Sequence, residues 1–150
     1  MEEKLLNIQS EIGKLNAVLL HRPGKELERI VPNVLKEVLF EDIPWLRRMQ
    51  EEHDAFARVL TGRGIHVYYV EQLLTDILAD AQVRESLVRD VIDQNPSSGN
   101  YIDGFLQEYL LSMEDCKLAE SLIAGVLQKE LDHVERERVL SDYINESEPF

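Results

Sequence analysis

The sequence predicts an α/β first half followed by an all-helical second half. Strand-length apolar runs flank one amphipathic helix within residues 1–70, whereas from residue 71 apolar residues recur only at helical spacing. The charge changes at the same place. Residues 1–70 carry 10 basic and 11 acidic groups, a net of −1, and residues 71–150 carry 6 basic and 18 acidic groups, a net of −12. We therefore expect a strand–helix–strand unit over residues 1–70, an acidic helical bundle over 71–145 and a tail at 146–150.

The first half is expected to form one strand, one helix and a second strand. Residues 17–20 (AVLL), closed by the turn-forming residues 22–25 (RPGK), predict a buried strand. Alternation over residues 65–70 predicts the second strand. Pro44 suits the first turn of the helix between them. One face of that helix is predicted to carry Leu46, Met49, His53, Phe56, Ala57 and Leu60.

The second half predicts four or five short helices that pack as a small bundle. Their apolar stripes begin at Leu73, Val83, Tyr101, Leu118 and, more weakly, Leu131. Residues 93–100 (DQNPSSGN) are typical of a loop. Residues 112–115 (SMED) resemble a capping box with Asp in place of Glu or Gln.

Composition excludes several classes of protein. A formal net charge of −13 disfavours nucleic-acid binding and a polybasic membrane anchor. No uncharged apolar stretch approaches the ~20 residues of a membrane-spanning helix, and the N-terminus lacks the pattern of a signal peptide. Cys116 is the single cysteine, so no internal disulfide can form and a reducing, cytoplasmic location is expected.

Few residues suggest chemistry by themselves. His53 lies within a helical stripe and is expected to be a packed histidine that donates a hydrogen bond. Cys116 is expected in a first helical turn beside Lys117, which would favour a thiolate, but Glu114 and Asp115 precede it, so we interpret it as a small helix residue. No metal site is predicted, because there is no second cysteine and no helical zinc spacing among the histidines, which are His21, His53, His66 and His133.

Two further motifs admit a functional and a structural interpretation. Gly62-Arg63-Gly64 lacks the third glycine of a dinucleotide fingerprint and precedes a strand, so it predicts a helix stop. Glu41-Asp42 could grip a cation or a guanidinium group with two carboxylates. Alternatively, the pair stabilises the positive end of the following helix. The residues contain no complete catalytic constellation.

Four segments together resemble bacterial arginine deiminases. Residues 10–15 (SEIGKL), with the strand and His21-Arg22-Pro23-Gly24 after them, are similar to the family's opening. Residues 38–45 (VLFEDIPW) and 52–56 (EHDAF) fit the next part, and residues 117–126 (KLAESLIAGV) resemble a helix of the family's inserted helical domain. The matches occur in order across most of the chain.

The resemblance implies a fold and a reaction. Arginine deiminases are penteins, closed α/β propellers of ββαβ modules, with a helical bundle inserted after the strand–helix–strand part of the first module. The family hydrolyses L-arginine to L-citrulline and ammonia. A cysteine thiolate attacks the guanidinium carbon, a histidine handles protons, and acidic residues grip the guanidinium nitrogens. The reaction needs no metal and no organic cofactor.

The resemblance also implies which functional residues this chain carries. Leu39 matches a leucine on the wall of the arginine pocket, while Phe40 and Asp42 are expected to pack and to start a helix. The family's F-T-R-D segment is expected just beyond Phe150, with its Glu, its His-x-Asp pair and its cysteine later still. The nucleophile's role therefore does not transfer to Cys116, and no catalytic residue is expected among these 150.

Two hypotheses follow. The chain is an N-terminal portion of an arginine deiminase, inactive alone, that self-associates or binds the missing C-terminal part of the enzyme. The alternative is a non-enzymatic acidic helical module that retains the deiminase scaffold and binds a basic partner.

Overall fold

A computed structural model describes residue 8 and residues 10–30, 42–94 and 100–133. Within these residues the chain forms two strands and six helices, and residues 128–133 are also helical. In chain order these are β1 (Ala17–Leu20), α1 (Lys25–Glu28), α2 (Leu46–Gly62), β2 (His66–Tyr69), α3 (Val70–Leu78), α4 (Ala81–Gln94), α5 (Asn100–Leu111) and α6 (Asp115–Ala124).

The two strands form a parallel pair, with Ala17 opposite His66 and Leu20 opposite Tyr69. Parallel neighbours require a crossover connection, which here includes α1 and α2. The α/β class predicted for residues 1–70 is confirmed. Because both strands run in one direction, the residues that follow them emerge at the same edge of the sheet.

Helix α2 begins one or two residues later than the sequence suggests. Trp45 is its N-cap, with extended backbone angles (φ −84°, ψ 90°), so Pro44 precedes the helix instead of occupying its first turn. The predicted stop is confirmed. The amide of Arg63 donates to carbonyl oxygens at the helix end, and Gly64 has a φ of 75°, a conformation that glycine adopts without strain.

The buried face of α2 is narrower than predicted. Ala57 and Leu60 are buried, but Phe56, expected on the same face, is 53% exposed. A helix advances about 100° per residue, so Phe56 lies on the flank of the face that Ala57 and Leu60 define. The outer flank of α2 is therefore partly apolar.

Helices α3 to α6 share one core, as the apolar stripes predict. Its buried side chains are Leu78, Val88, Ile92, Leu110, Leu118 and Ala119. Two of the expected stripe residues, Leu73 and Ile77, remain 42% and 51% exposed at the edge of α3. Of the loop predicted at residues 93–100, residues 93 and 94 are the last two of α4 and Asn100 is the first residue of α5. Residues 95–99 lie outside the described residues.

The predicted capping box at residues 112–115 does not form. Glu114 is the N-cap of α6 and makes no side-chain capping bond. Ser112 instead donates its hydroxyl to the carbonyl oxygen of Tyr109, 2.7 Å away, because the open carbonyls at the end of α5 compete for it. Arg84, in α4, stabilises the turn between α5 and α6. It donates to the carbonyl of Leu111 at 3.1 Å and to the carboxylate of Asp115 at 2.5 Å.

The segment after β1 contacts the end of α6. Lys25 donates to the carboxylate of Glu120 at 2.6 Å. Arg29 donates to the carbonyl oxygen of Ala124 at 2.9 Å and to that of Gly125, and its other terminal nitrogen bonds both carboxylate oxygens of Glu130 at 3.0 and 3.1 Å. The Arg29 side chain is only 16% exposed. These contacts join the α/β unit to the helices.

Two other expectations concern the rest of the chain. The weak stripe beginning at Leu131 coincides with helical residues 128–133, while Val134 and Tyr143, its later members, lie outside the described residues. None of the helices in the described part of the chain has the length and apolar character to cross a membrane.

Candidate functional site at the carboxyl edge of the strand pair

A cluster of charged side chains lies where the two strands end. His21 and Arg22 follow β1, and Glu71 lies two residues after Tyr69, the last residue of β2. In open α/β sheets, ligands are commonly bound beyond the carboxyl ends of parallel strands. Asp54 from α2 and Glu26 from α1 complete the cluster, which we call the edge cluster.

Arg22 joins two of the segments on which the family resemblance rests. Its Nε donates to Asp54 Oδ1 at 2.8 Å and its Nη2 donates to Oδ2 at 3.0 Å, a bidentate pair. Its backbone amide donates to Glu71 Oε1 at 2.9 Å. The hydrogen bond from Arg22 holds the pKa of the Asp54 carboxyl below its usual value, and the same bond raises the pKa of Arg22. The pair therefore remains charged at neutral pH.

His21 lies between two carboxylates. Its Nε2 is 3.0 Å from Glu26 Oε1, and its Nδ1 is 2.6 Å from Glu71 Oε1. Glu26 Oε1 also accepts the backbone amide of Gly24 at 2.6 Å. Burial opposes ionisation of Glu26, but the backbone hydrogen bonds and His21 outweigh it, so the pKa of Glu26 lies below its usual value. The cluster thus fixes the His-Arg-Pro-Gly turn against α1 and α3.

Helix α2 contributes two further groups near this edge. The side-chain amide of Gln50 donates to the carbonyl oxygen of Pro23 at 2.8 Å. His53 packs with its ring centroid 5.9 Å from that of Tyr69. It is packed as predicted, with 13% of its side chain exposed, but it makes no hydrogen bond to the described residues. Both ring nitrogens lack a partner among the described residues, and Nδ1 is 3.8 Å from Asp54 Oδ1, too far for a hydrogen bond.

The other sequence-derived candidates are not part of the edge cluster. Leu39, the predicted substrate contact, lies outside the described residues, as do Phe40 and Glu41. Asp42 is exposed and accepts the amide of Ile43 at 2.7 Å, so it does not cap α2. Cys116 is exposed in the first turn of α6. Nowhere in the described ranges do three or more histidine, cysteine or acidic side chains converge as a metal site would require.

Sequence reasoning missed most of the edge cluster. Glu26 and Glu71 are isolated carboxylates that belong to no recognisable sequence motif. The pairing of Arg22 with Asp54 spans 32 residues. One signal was available. If both strands are parallel, the residues just beyond their carboxyl ends must lie side by side, which places Arg22 near Glu71.

The edge cluster supplies charge and hydrogen bonds, and none of its five side chains is a thiol or a hydroxyl. Asp54 is paired with Arg22, and Glu26 is paired with His21 and the amide of Gly24. Glu71 Oε1 accepts from the amide of Arg22 and lies 2.6 Å from His21 Nδ1, whereas Glu71 Oε2 is buried without a hydrogen-bond partner among the described residues. Its chemistry therefore suits the positioning of chain segments. In particular, the bidentate pair fastens the chain on both sides of residues 31–41.

Comparison with known proteins identifies the family. The sequence model of the arginine deiminase family matches residues 36–149. The chain is 42% identical over 127 residues to an arginine deiminase of Bacillus cytotoxicus, covering 85% of this chain and 31% of that protein. It is 40% identical over 147 residues to an arginine deiminase of Streptococcus equi subsp. zooepidemicus, covering 97% of this chain and 36% of that protein.

These similarities extend over nearly all of this chain but over only about a third of the curated relatives it matches. The matched region contains both halves of the chain, including the edge cluster and the helical core. On the family match and on this level of identity, the chain belongs to the arginine deiminase family.

Proposed function

We propose that this chain is the N-terminal part of an arginine deiminase, the enzyme that hydrolyses L-arginine to L-citrulline and ammonia. The observation that carries the proposal is the 40–42% identity to proteins of that name over 85–97% of the chain. The catalytic cysteine, histidine and acidic residues are supplied by the part of the enzyme that has no counterpart here. The 150-residue chain alone is inactive in this proposal.

In the proposed enzyme, residues 1–70 form the strand–helix–strand part of the first propeller module, and residues 71–145 form the inserted helical bundle. Residues 146–150 lead toward the rest of the propeller. The direct passage from β2 into α3 at residue 70 and the shared core of α3 to α6 support this division. The single cysteine of this part of the enzyme fits a cytoplasmic location.

The proposed reaction proceeds through a covalent intermediate. A cysteine thiolate from the other part of the enzyme adds to the guanidinium carbon of arginine. The histidine supplies the proton with which ammonia leaves, and an amidino–thioether remains. Water, deprotonated by the histidine, then attacks the same carbon, citrulline is released and the thiolate is restored. The proposed mechanism uses no metal and no organic cofactor.

Within this mechanism Leu39 lies on the wall of the arginine pocket. The edge cluster helps to position Leu39. Leu39 belongs to residues 31–41, and the chain on either side of that segment is joined by the bond from Arg22 to Asp54. Gln50 and Pro23 add a second connection between the same two sides. Both contacts limit the separation of the segment's two ends.

A chimera tests the proposal. Residues of the Bacillus cytotoxicus arginine deiminase that align with this chain are replaced by this chain, and citrulline is measured with arginine as substrate. We expect citrulline from the chimera and none from the 150-residue chain. A chimera that folds as judged by circular dichroism but forms no citrulline would contradict the proposal, as would citrulline from the chain alone.

The alternative function, an acidic module that binds a basic partner, rests on the net charge of −12 in residues 71–150. It requires a stoichiometric, salt-sensitive partner and predicts a chimera without activity. The chimera experiment therefore separates the two functions.

A further inference from the structure

His21 connects two helices through its two ring nitrogens. Its Nε2 lies 3.0 Å from Glu26 Oε1 in α1, and its Nδ1 lies 2.6 Å from Glu71 Oε1 in α3. An ionised carboxylate accepts hydrogen bonds and donates none. Both ring nitrogens must therefore carry a hydrogen if both contacts are hydrogen bonds. The protonated imidazolium has two N–H groups, whereas neutral imidazole has one and presents a lone pair at its other nitrogen.

The two carboxylates are also held by backbone amides. Glu26 Oε1 accepts from the amide of Gly24 at 2.6 Å, and Glu71 Oε1 accepts from the amide of Arg22 at 2.9 Å. Burial raises the pKa of Glu26, but backbone hydrogen bonds and His21 lower it below its usual value. If His21 is neutral, one ring nitrogen faces a carboxylate oxygen with no hydrogen between them. One of the two connections is then lost.

The elements around this turn carry further charged and titratable groups, which are Arg22 itself, Lys25 and Glu28 of α1, His53 and Asp54 of α2, and Tyr69 of β2. Asp54 is paired with Arg22, and Lys25 is paired with Glu120. Among the described residues, the acidic groups within hydrogen-bond distance of the His21 ring are the two carboxylates of α1 and α3. Its charge therefore depends most directly on those two groups.

The turn that His21 holds also supplies the contacts across residues 31–41. Arg22 follows His21 directly and donates to Asp54 through its side chain. The carbonyl oxygen of Pro23 accepts a hydrogen bond from helix α2. Loss of one connection at His21 should loosen the turn against α1 or α3, and with it both contacts to α2.

We propose that His21 is a positioning residue whose proton decides whether this turn is held from both sides. Protonated His21 connects the turn to α1 and to α3, and neutral His21 leaves one of these connections unmade. In the proposed enzyme the two ends of residues 31–41 are then held less firmly as the pH rises, and arginine binds less tightly. This last step rests on the proposed function, whereas the bridge at His21 concerns this chain alone.

Thermal melting of the 150-residue chain between about pH 5 and 8 tests the bridge, because histidine changes its charge in this range. His21→Gln keeps a hydrogen-bonding side chain that cannot take up a proton, and the position is 38% exposed, so the variant should fold. A group stabilised in its protonated form contributes stability at low pH and loses it as the pH rises. At the acidic end, Tm of His21→Gln should lie at least roughly 3 °C below that of the parent chain. This difference should shrink by half or more at the alkaline end.

His66→Gln is the matched control, because His66 is exposed on β2 and its ring centroid lies 6.5 Å from that of Tyr68. Its Tm difference from the parent should not vary with pH. Glu71→Gln removes one of the two negative charges beside His21, so in that background the pH-dependent part of the His21→Gln effect should fall by about half or more. A His21→Gln effect that is constant or grows as the pH rises would overturn the inference. So would an equal pH dependence with His66→Gln, or an effect that Glu71→Gln leaves unchanged.

The chimera measures the consequence for arginine binding. His21→Gln should raise KM by roughly threefold at the acidic end of the range and much less at the alkaline end, with a smaller change in kcat. An inactive chimera would reject the proposed function, and the melting curves would still decide on the bridge. An active chimera with a KM ratio that does not vary with pH would reject the effect of His21 on arginine binding.

Discussion

Replacing Arg29 with methionine should weaken the junction between the α/β unit and the helices. Arg29→Met retains an unbranched apolar stem but removes every hydrogen bond to Ala124, Gly125 and Glu130. Hydrogen bonds to charged groups contribute about 1.5–3 kcal/mol each. Glu130 is 37% exposed and its carboxylate is rehydrated in the variant, so the contributions do not add in full. We expect a loss of about 2–4 kcal/mol in the free energy of unfolding.

Thermal and urea denaturation followed by circular dichroism measure this loss. For a chain of this size, the expected change lowers Tm by roughly 5–15 °C. Arg47→Met is the matched control, because Arg47 is 81% exposed and its one ion pair within the described residues is with Glu51, one helical turn away. The control should lose no more than about 0.5 kcal/mol. If Arg29→Met destabilises the chain no more than Arg47→Met, the junction between the two halves does not depend on Arg29.

Four further results are expected. Gly125 has φ 80° and ψ −178°, a region essentially restricted to glycine, so Gly125→Ala should cost about 1–3 kcal/mol in urea denaturation. Gly104→Ala, within α5 and with open space around the new methyl group, should instead stabilise by about 0.5–1 kcal/mol. Equal effects would refute the strain at Gly125. The pKa of Glu26 is lowered in the folded chain, so its stabilisation is present above its usual value of 4.5 and lost as the pH falls. Glu26→Gln should therefore lower Tm at neutral pH, and its difference from the parent chain should shrink on acidification. A difference that does not change with pH would contradict this. In the chimera, Cys116→Ser should leave citrulline formation unchanged, and a large loss would mean that Cys116 takes part in the reaction. Also in the chimera, Leu39→Ala should raise KM by roughly tenfold with a smaller change in kcat, as expected for lost apolar contact with the substrate, whereas an unchanged KM would remove Leu39 from the pocket.

The sequence was sufficient to predict the elements whose signals are local. The strand at residues 17–20, the strand near residue 66 and the stop at Gly62-Arg63-Gly64 are each indicated by residues within a few positions of one another. The helices after residue 70 follow from apolar spacing in the same way. Family membership was also accessible, because the segments that carry it are continuous.

Contacts between distant residues could not be predicted in this way. The bidentate pair of Arg22 and Asp54 joins residues 32 positions apart, and Arg29 meets Glu130 across 101. Nothing local distinguishes these charged groups from solvated ones. The capping prediction at Ser112 failed for a related reason. The Ser112 hydroxyl bonds the nearby carbonyl oxygen of Tyr109, and Arg84, which is distant in sequence, stabilises the turn between α5 and α6.

The most direct test of the central claim is the rate of citrulline formation by the purified 1:1 complex of this chain and the remaining part of the Bacillus cytotoxicus relative. We expect the complex to convert arginine to citrulline, with neither part active alone. A folded 1:1 complex that forms no citrulline would contradict the claim that this chain supplies the N-terminal part of an arginine deiminase.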